Sequence, residues 1–301
     1  DQVAMIGLVR NMIMRGDYQG AIDLANKCEK YDSSYEEVYR FRMQAYDKLG
    51  KTDLAIYYAI CYMEKSNDPE SAHFEDILKK HLSYALAKVN TMYNKYTEEI
   101  KWKMLRIRIY EWSHDYDCAI REYNKIEKEY GSSRMICYYR GLCYQGIGDS
   151  AKAIEEITKC IEMGNGQDYY ALAERADIYR ESGRYDEAII DFTKMIELLP
   201  TDAYAYYKRG WCYELKGDDN TAMENYNAGI DVDKEYPYIF LMRGELYLKQ
   251  GQIELANADF NEILKQDTVI DSGSCRQYAL FFLGKDDEAI KWMDKIVAAD
   301  P

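Results

Sequence analysis

Apolar and polar positions along the chain repeat as a block. A short polar stretch that opens with a turn residue is followed by an alanine and another apolar residue, and the block recurs as GDYQGAI from Gly16, GKTDLAI from Gly50, HDYDCAI from His114, GDSAKAI from Gly148, GRYDEAI from Gly183, GDDNTAM from Gly217, GQIELAN from Gly251 and GKDDEAI from Gly284. Successive turn residues, with His114 in place of one glycine, lie 34, 64, 34, 35, 34, 34 and 33 residues apart. A fixed period in this range marks stacked supersecondary units, and the interval of 64 conceals one irregular unit. Each glycine is placed to end one helix in a left-handed conformation, and the polar residues after it start the next. The pattern therefore predicts an all-α chain of helix-turn-helix units, beginning near residues 2, 36, 100, 134, 169, 203, 237 and 270.

Counting each unit from 1 gives the apolar positions a structural meaning. Position 8 is small (Gly141, Ala176, Gly210, Gly244), and so is position 20 (Ala21, Ala55, Ala119, Ala153, Ala188, Ala222, Ala256, Ala289). Small residues at both places let two helices approach closely. Position 24 carries a bulky plug in Tyr123, Phe192, Tyr226 and Phe260, one turn from the alanine and so on the same helical face. Position 11 is tyrosine in Tyr46, Tyr110, Tyr144, Tyr179, Tyr213 and Tyr247, and these are expected to line the core.

Small residue at 8, tyrosine at 11, glycine at 15, alanine at 20, aromatic at 24 and proline at 32 (Pro200, Pro301) together resemble the tetratricopeptide repeat. The resemblance implies a right-handed superhelical solenoid and covers nearly the whole chain, with repeats 1 and 2 in 1–69, an irregular helical unit in 70–99 and six repeats in 100–301, the last without a polar capping helix. In 70–99, Phe74, Ile77, Leu78, Leu82, Ala85, Val89, Met92 and Tyr96 keep a helical three-four spacing, so one long helix or two poorly separated ones are expected after Pro69. That segment reads either as a degenerate repeat or as a junction between two parts of the array.

The resemblance also implies a concave groove lined by first-helix positions 2, 5, 9 and 12. From residue 134 these include Met135, Tyr138 and Leu142; Tyr170, Asp177 and Arg180; Tyr204, Tyr207, Trp211 and Glu214; and Tyr238, Leu241 and Glu245. Tyrosine and tryptophan offer large contact area at low rotamer cost, which suits peptide recognition. A chain with 31 tyrosines could equally place some of these rings against neighbouring helices. In the basic run Lys95 to Arg108, Lys101 and Arg108 fall at groove positions 2 and 9 and could seat an acidic tail, or could be a solvated face. The family's chaperone-tail carboxylate clamp is missing, because position 5 carries Met104, Tyr138, Ala173, Tyr207 and Leu241 and no asparagine stands at position 6.

Charge narrows the class of partner. The net charge is −14, and residues 1–110 hold 17 basic and 16 acidic side chains whereas residues 111–301 hold 22 and 37. The acidic later repeats disfavour nucleic acid and anionic membranes and favour a basic protein or peptide partner, or simply keep a long array soluble. No apolar run is long enough to span a membrane. Eight cysteines without a C-x-x-C pair read as small buried residues, and reduced thiols favour the cytoplasm while leaving the compartment open.

Catalytic motifs are absent, and no cofactor or metal is expected. His114 with Asp115 and Asp117 occupies a turn, and His73 and His81 lie on the irregular segment without a third ligand. The acidic pairs Glu36–Glu37, Glu98–Glu99 and Asp218–Asp219 sit at helix starts, where the dipole favours them. The chain is thus expected to be a non-enzymatic scaffold that holds a partner segment in an aromatic groove. Two alternatives stay open: the accessory region of a longer enzyme or envelope protein, and a module that forms a homodimer through its uncapped ends.

Overall fold

The computed structural model describes residues 2–31, 36–65, 72–265 and 273–299, and all regular structure within them is helical. The helices gather into two compact units, Asp1–Ser132 and Ser133–Pro301. In the first unit they run α1 (Gln2–Met14), α2 (Tyr18–Tyr31), α3 (Glu36–Lys48), α4 (Thr52–Lys65), α5 (Ala72–Lys79), α6 (Leu82–Lys95), α7 (Ile100–Trp112) and α8 (Tyr116–Tyr130). In the second they run α9 (Arg134–Gly146), α10 (Ser150–Met163), α11 (Tyr169–Glu181), α12 (Tyr185–Leu198), α13 (Ala203–Leu215), α14 (Asp219–Val232), α15 (Pro237–Lys249), α16 (Ile253–Lys265), α17 (Gly273–Phe282) and α18 (Asp286–Ala299). Within each unit every helix packs on its sequence neighbours, as a helical solenoid requires.

One turn shows why the pairs form where the pattern puts them. Gly148 takes φ 79°, a left-handed value that a side chain would resist. This lets the Gly148 N–H donate to Gln145 O and the Asp149 N–H to Tyr144 O, both at 2.9 Å, so the last carbonyls of α9 are satisfied. Asp149 then starts α10 by accepting from the Lys152 N–H at 3.1 Å. His114 adopts the same kind of conformation at φ 56°, with its Nδ1 2.8 Å from the Tyr116 hydroxyl.

The small positions act as expected. Every position-20 alanine is buried, and Tyr123, Phe192, Tyr226 and Phe260 at position 24 are fully buried. A Cβ on Gly210 would lie 2.6 Å from Tyr226 Cε1, so α13 and α14 meet at a distance that only hydrogen permits. The position-11 tyrosines line the core from its edge, with Tyr46, Tyr144, Tyr179, Tyr213 and Tyr247 packed against the buried clusters. They are half-buried at the rim, where Tyr144 carries the Lys152 ammonium at 5.3 Å and Tyr179 the Arg184 guanidinium at 4.4 Å. A phenol keeps its hydroxyl wet and offers its face to a cation, which favours the edge over the interior.

The irregular segment resolves into two helices, α5 and α6, parted at Lys80 and His81. Phe74, Ile77, Leu78, Ala85 and Val89 bury into one core with Trp102 of α7 and Ile56, Ile60 and Met63 of α4, so the stack of the first unit is unbroken across it. His81 faces Asp53 at 2.7 Å, while the side chain of His73 lies outside the described residues. Six of the eight cysteines are buried, Cys61 and Cys118 are half-buried, and none of the eight forms a disulfide among the described residues.

A polar ladder that the apolar pattern concealed runs through the pairs. Position 7 is arginine in seven repeats, and each reaches position 23 of its own repeat: Arg106 to Glu122, Arg140 to Glu156, Arg175 to Asp191, Arg209 to Asn225 and Arg243 to Asp259, all by hydrogen bond. In the other two, Arg42 lies over the ring of Tyr58 at 5.1 Å and Arg276 over that of Trp292 at 4.8 Å. Three rungs also bond position 25 of the preceding repeat, Arg175 to Thr158 at 2.9 Å, Arg209 to Thr193 at 3.1 Å and Arg243 to Asn227 at 2.7 Å. With a ring as its partner at position 23, Arg42 keeps one ion pair to Glu29 at 2.7 Å and leaves Nε and Nη2 buried without a hydrogen bond.

Candidate protein-binding face

The first helices of the second unit, α9, α11, α13 and α15, share the face on which the predicted residues fall. Its centre is Asp177 on α11. The Asp177 carboxylate accepts from the Tyr204 hydroxyl at 2.9 Å, from Lys208 Nζ at 2.9 and 3.1 Å, and from Arg180 Nε at 3.1 Å. Tyr204 and Lys208 stand at positions 2 and 6 of the following repeat and Arg180 one turn along the same helix, so one acid is neutralised across a repeat boundary. Burial, and then the Asp177 charge, holds the Tyr204 hydroxyl well above the ordinary phenol range.

Beside this hub the rings pack on one another. Tyr207 is nearly parallel to Trp211 at 6.0 Å and lies 5.9 Å from Tyr238 and 6.0 Å from Tyr236. The Arg180 guanidinium covers Trp211 at 4.2 Å, and Lys208 lies 5.6 Å from the same ring. Tyr207 is therefore the buried middle of the cluster, at 8% exposure, and Leu241, at 7%, is buried beneath the same face. Tyr138, Leu142, Asp177, Arg180, Tyr204, Trp211 and Tyr238 are half-buried, while Tyr170 is the most exposed of the group at 75% and Met135 is exposed.

Position 6 contributes residues that the pattern of 2, 5, 9 and 12 omits. Lys208 is one, and Glu174 is the other. The Glu174 carboxyl is raised by burial and then by Asp177, with Lys208 acting against the rise. On α15, Glu245 is raised by burial and then by Glu214. Glu214 accepts from the Tyr226 hydroxyl at 2.8 Å, and Glu245 has no hydrogen bond or ion pair among the described residues. The adjacency of position 6 to position 9 of the previous repeat was the available signal, and it needs the register of two repeats at once.

In the first unit, the basic run is met from within the chain. Lys101 Nζ donates to Met63 O at 3.2 Å and pairs with Glu99 at 3.3 Å, and Arg108 reaches Glu111 at 3.4 Å and Glu75 at 3.5 Å. Among the described residues no group of histidine, cysteine, aspartate or glutamate could hold a metal ion, and no helix is long and apolar enough to cross a membrane.

Comparison with known proteins agrees with the architecture. Family models described as tetratricopeptide repeat or TPR repeat match residues 136–163, 176–217, 203–236 and 238–267. Human tetratricopeptide repeat protein 13 is 31% identical over 156 residues, which is 50% of this chain and 18% of that protein. A TPR repeat-containing protein of Methanocaldococcus jannaschii is 22% identical over 82% of this chain and 47% of its own length. The human mitochondrial import receptor subunit TOM70 is 28% identical over 42% of this chain and 22% of its own. The chain thus spans less than half of each of these relatives. Among solved structures, a tetratricopeptide repeat protein from Parabacteroides merdae superposes with a TM-score of 0.52 at 18% identity, covering 94% of this chain and 98% of that one, a likeness of fold.

Proposed function

Because the chain is a tetratricopeptide-repeat protein, we propose that it is a non-catalytic scaffold that holds a segment of a partner protein along the inner face of α9, α11, α13 and α15. The observation that carries this reading is the half-buried aromatic platform of Tyr204, Trp211 and Tyr238 around the buried Tyr207, edged by the charged groups of Asp177, Arg180 and Lys208. Rings already fixed by stacking and by hydroxyl bonds lose little freedom when a ligand covers them. Tyr138, Leu142 and Tyr170 would extend the contact toward α9 and α11. In the first unit, Lys101 and Arg108 would serve an acidic segment only after giving up their internal partners.

Affinity capture from the native cell, followed by identification of the retained proteins, tests the reading. Tyr204→Ala with Trp211→Ala should remove the specific partners while circular dichroism stays unchanged. Tyr207 is left intact because its loss opens the cluster's interior. Retention of the same partners by the folded variant sinks the reading.

A second reading has its own observation. On α17 and α18, Tyr278, Phe281 and Ile290 are exposed at 53%, 63% and 58%, around a shallow apolar cavity. Such a face would hold a second copy of the chain. Light scattering that gives a monomer mass at all concentrations excludes it.

A further inference from the structure

Asp177 shows how this array neutralises an acid at position 9. The cation comes from position 6 of the next repeat, as Lys208, and from position 12 of the same helix, as Arg180. Glu245 occupies position 9 two repeats later, half-buried on the same face. Its counterparts of Lys208 and Arg180 are Cys275 and Leu248. Neither carries a positive charge.

The neighbouring relationship is inverted as well. Position 12 of one repeat meets position 9 of the next, which in one step places Arg180 over Trp211 at 4.2 Å. In the following step the same two positions are Glu214 and Glu245, two acids acting on each other. At positions 6, 9 and 12 of α11, α13 and α15 the carboxylates Glu174, Asp177, Glu214 and Glu245 outnumber the cations Arg180 and Lys208, both of which pair with Asp177. The aromatic platform is therefore closed by its own ion pairs at one end and left with uncompensated negative charge at the other.

Resting on the scaffold reading above, we propose that the occupant of this face is a basic segment, an arginine or lysine beside apolar residues, whose cation sits at Glu245 where Lys208 sits at Asp177, with its apolar neighbours on Trp211 and Tyr238. The excess of acids over bases in residues 111–301 steers such a segment to the later repeats. The half-buried carboxylate holds it, since a charge pair shielded from water is worth more than one at the rim.

A membrane-bound array of peptides built from leucine, tyrosine and serine, with the central residue varied among arginine, lysine, citrulline and glutamate, tests the proposal. Citrulline keeps the shape of arginine and removes its charge. The intact chain should retain arginine and lysine peptides about tenfold better than citrulline peptides, the effect of one such charge pair. Glu245→Gln should abolish the preference and leave citrulline binding intact. Leu248→Arg, which restores to Glu245 the cation that Arg180 gives Asp177, should abolish it too. Glu224→Gln, an exposed acid on α14, should preserve it. A preference that survives Glu245→Gln, or that falls equally in Glu224→Gln, overturns the proposal. Citrulline peptides that bind as well as arginine peptides, with both lost in Tyr204→Ala plus Trp211→Ala, overturn it while leaving the scaffold reading in place. Retention of no peptide, or retention indifferent to that double variant, overturns both.

Discussion

Arg175 closes on both carboxylate oxygens of Asp191, at 2.8 and 2.7 Å, and its remaining nitrogen reaches Thr158 of the preceding repeat at 2.9 Å. One side chain thereby fixes the two helices of its own repeat and ties them to the repeat before. Asp191 is 4% exposed and Arg175 17%, so the pair is largely withdrawn from water. Removing one partner of such a pair leaves a stranded charge. Asp191→Ala is expected to cost about 3 kcal/mol by urea denaturation, and Arg175→Met combined with Asp191→Leu to recover most of that loss. A cost below about 1 kcal/mol would mean the rung behaves as a surface pair.

Arg209 has Asn225 where its neighbours have aspartate, and with no carboxylate at that place burial draws its guanidinium below the usual range. Asn225→Asp reproduces the rungs of Arg175 and Arg243. It exchanges a guanidinium-to-amide hydrogen bond for a guanidinium-to-carboxylate one and gives up the Asn225 bond to Thr221 O. A net gain of about 0.5 to 1 kcal/mol is expected, read as a higher urea midpoint at unchanged slope.

Gly210→Ala should destabilise the chain even though alanine is the better helix former. The added methyl meets the ring of Tyr226, which is pinned by its bond to Glu214 and cannot swing away. Overpacking of about 1 to 3 kcal/mol exceeds the helix gain of about 1 kcal/mol. Thermal melts would show a lower midpoint, and an unchanged or higher one would mean that the two helices can spread.

His114→Gly works in the opposite direction. The left-handed backbone at His114 costs a side-chain-bearing residue about 1 kcal/mol, partly offset by the hydrogen bond to Tyr116. A gain of a few tenths of a kcal/mol up to about 1 kcal/mol is expected in equilibrium unfolding.

Glu245 gives a pH dependence with a definite sign. Its folded carboxyl lies above the ordinary value of 4.5 because it is half-buried and feels the charge of Glu214. Below 4.5 both folded and unfolded states hold the proton, and Glu245→Gln should match the parent chain. As pH rises through the raised folded value the parent loses stability that glutamine keeps. The melting difference should therefore open between weakly acidic and neutral pH. A difference largest in acid would contradict the arrangement.

The stack was legible because its signals are narrow. Only glycine suits most of the turns, and the position-20 side chains are buried, Ala188 and Ala222 completely, so the letters at positions 15 and 20 hardly vary. The arginine ladder stayed hidden because position 23 accepts tyrosine, glutamate, aspartate, asparagine and tryptophan, which share a partner and no hydropathy. The face was legible as a set of positions and not as a surface. Tyr207 and Tyr170 share its predicted positions, yet one is the buried centre of a ring cluster and the other is open to water. The packing of Tyr207 depends on Tyr236 and Tyr238 of the adjoining segment, beyond the reach of any single-repeat pattern.

The crossing of the Asp177 ion pair over a repeat boundary has a consequence for how arrays of this kind diversify. Since Lys208 belongs to one repeat and the acid it neutralises to the one before, the charge offered to a ligand is a property of the junction between modules. Deleting, duplicating or exchanging a single module would rewrite the recognition code at its two seams without altering one amino acid in the modules that remain.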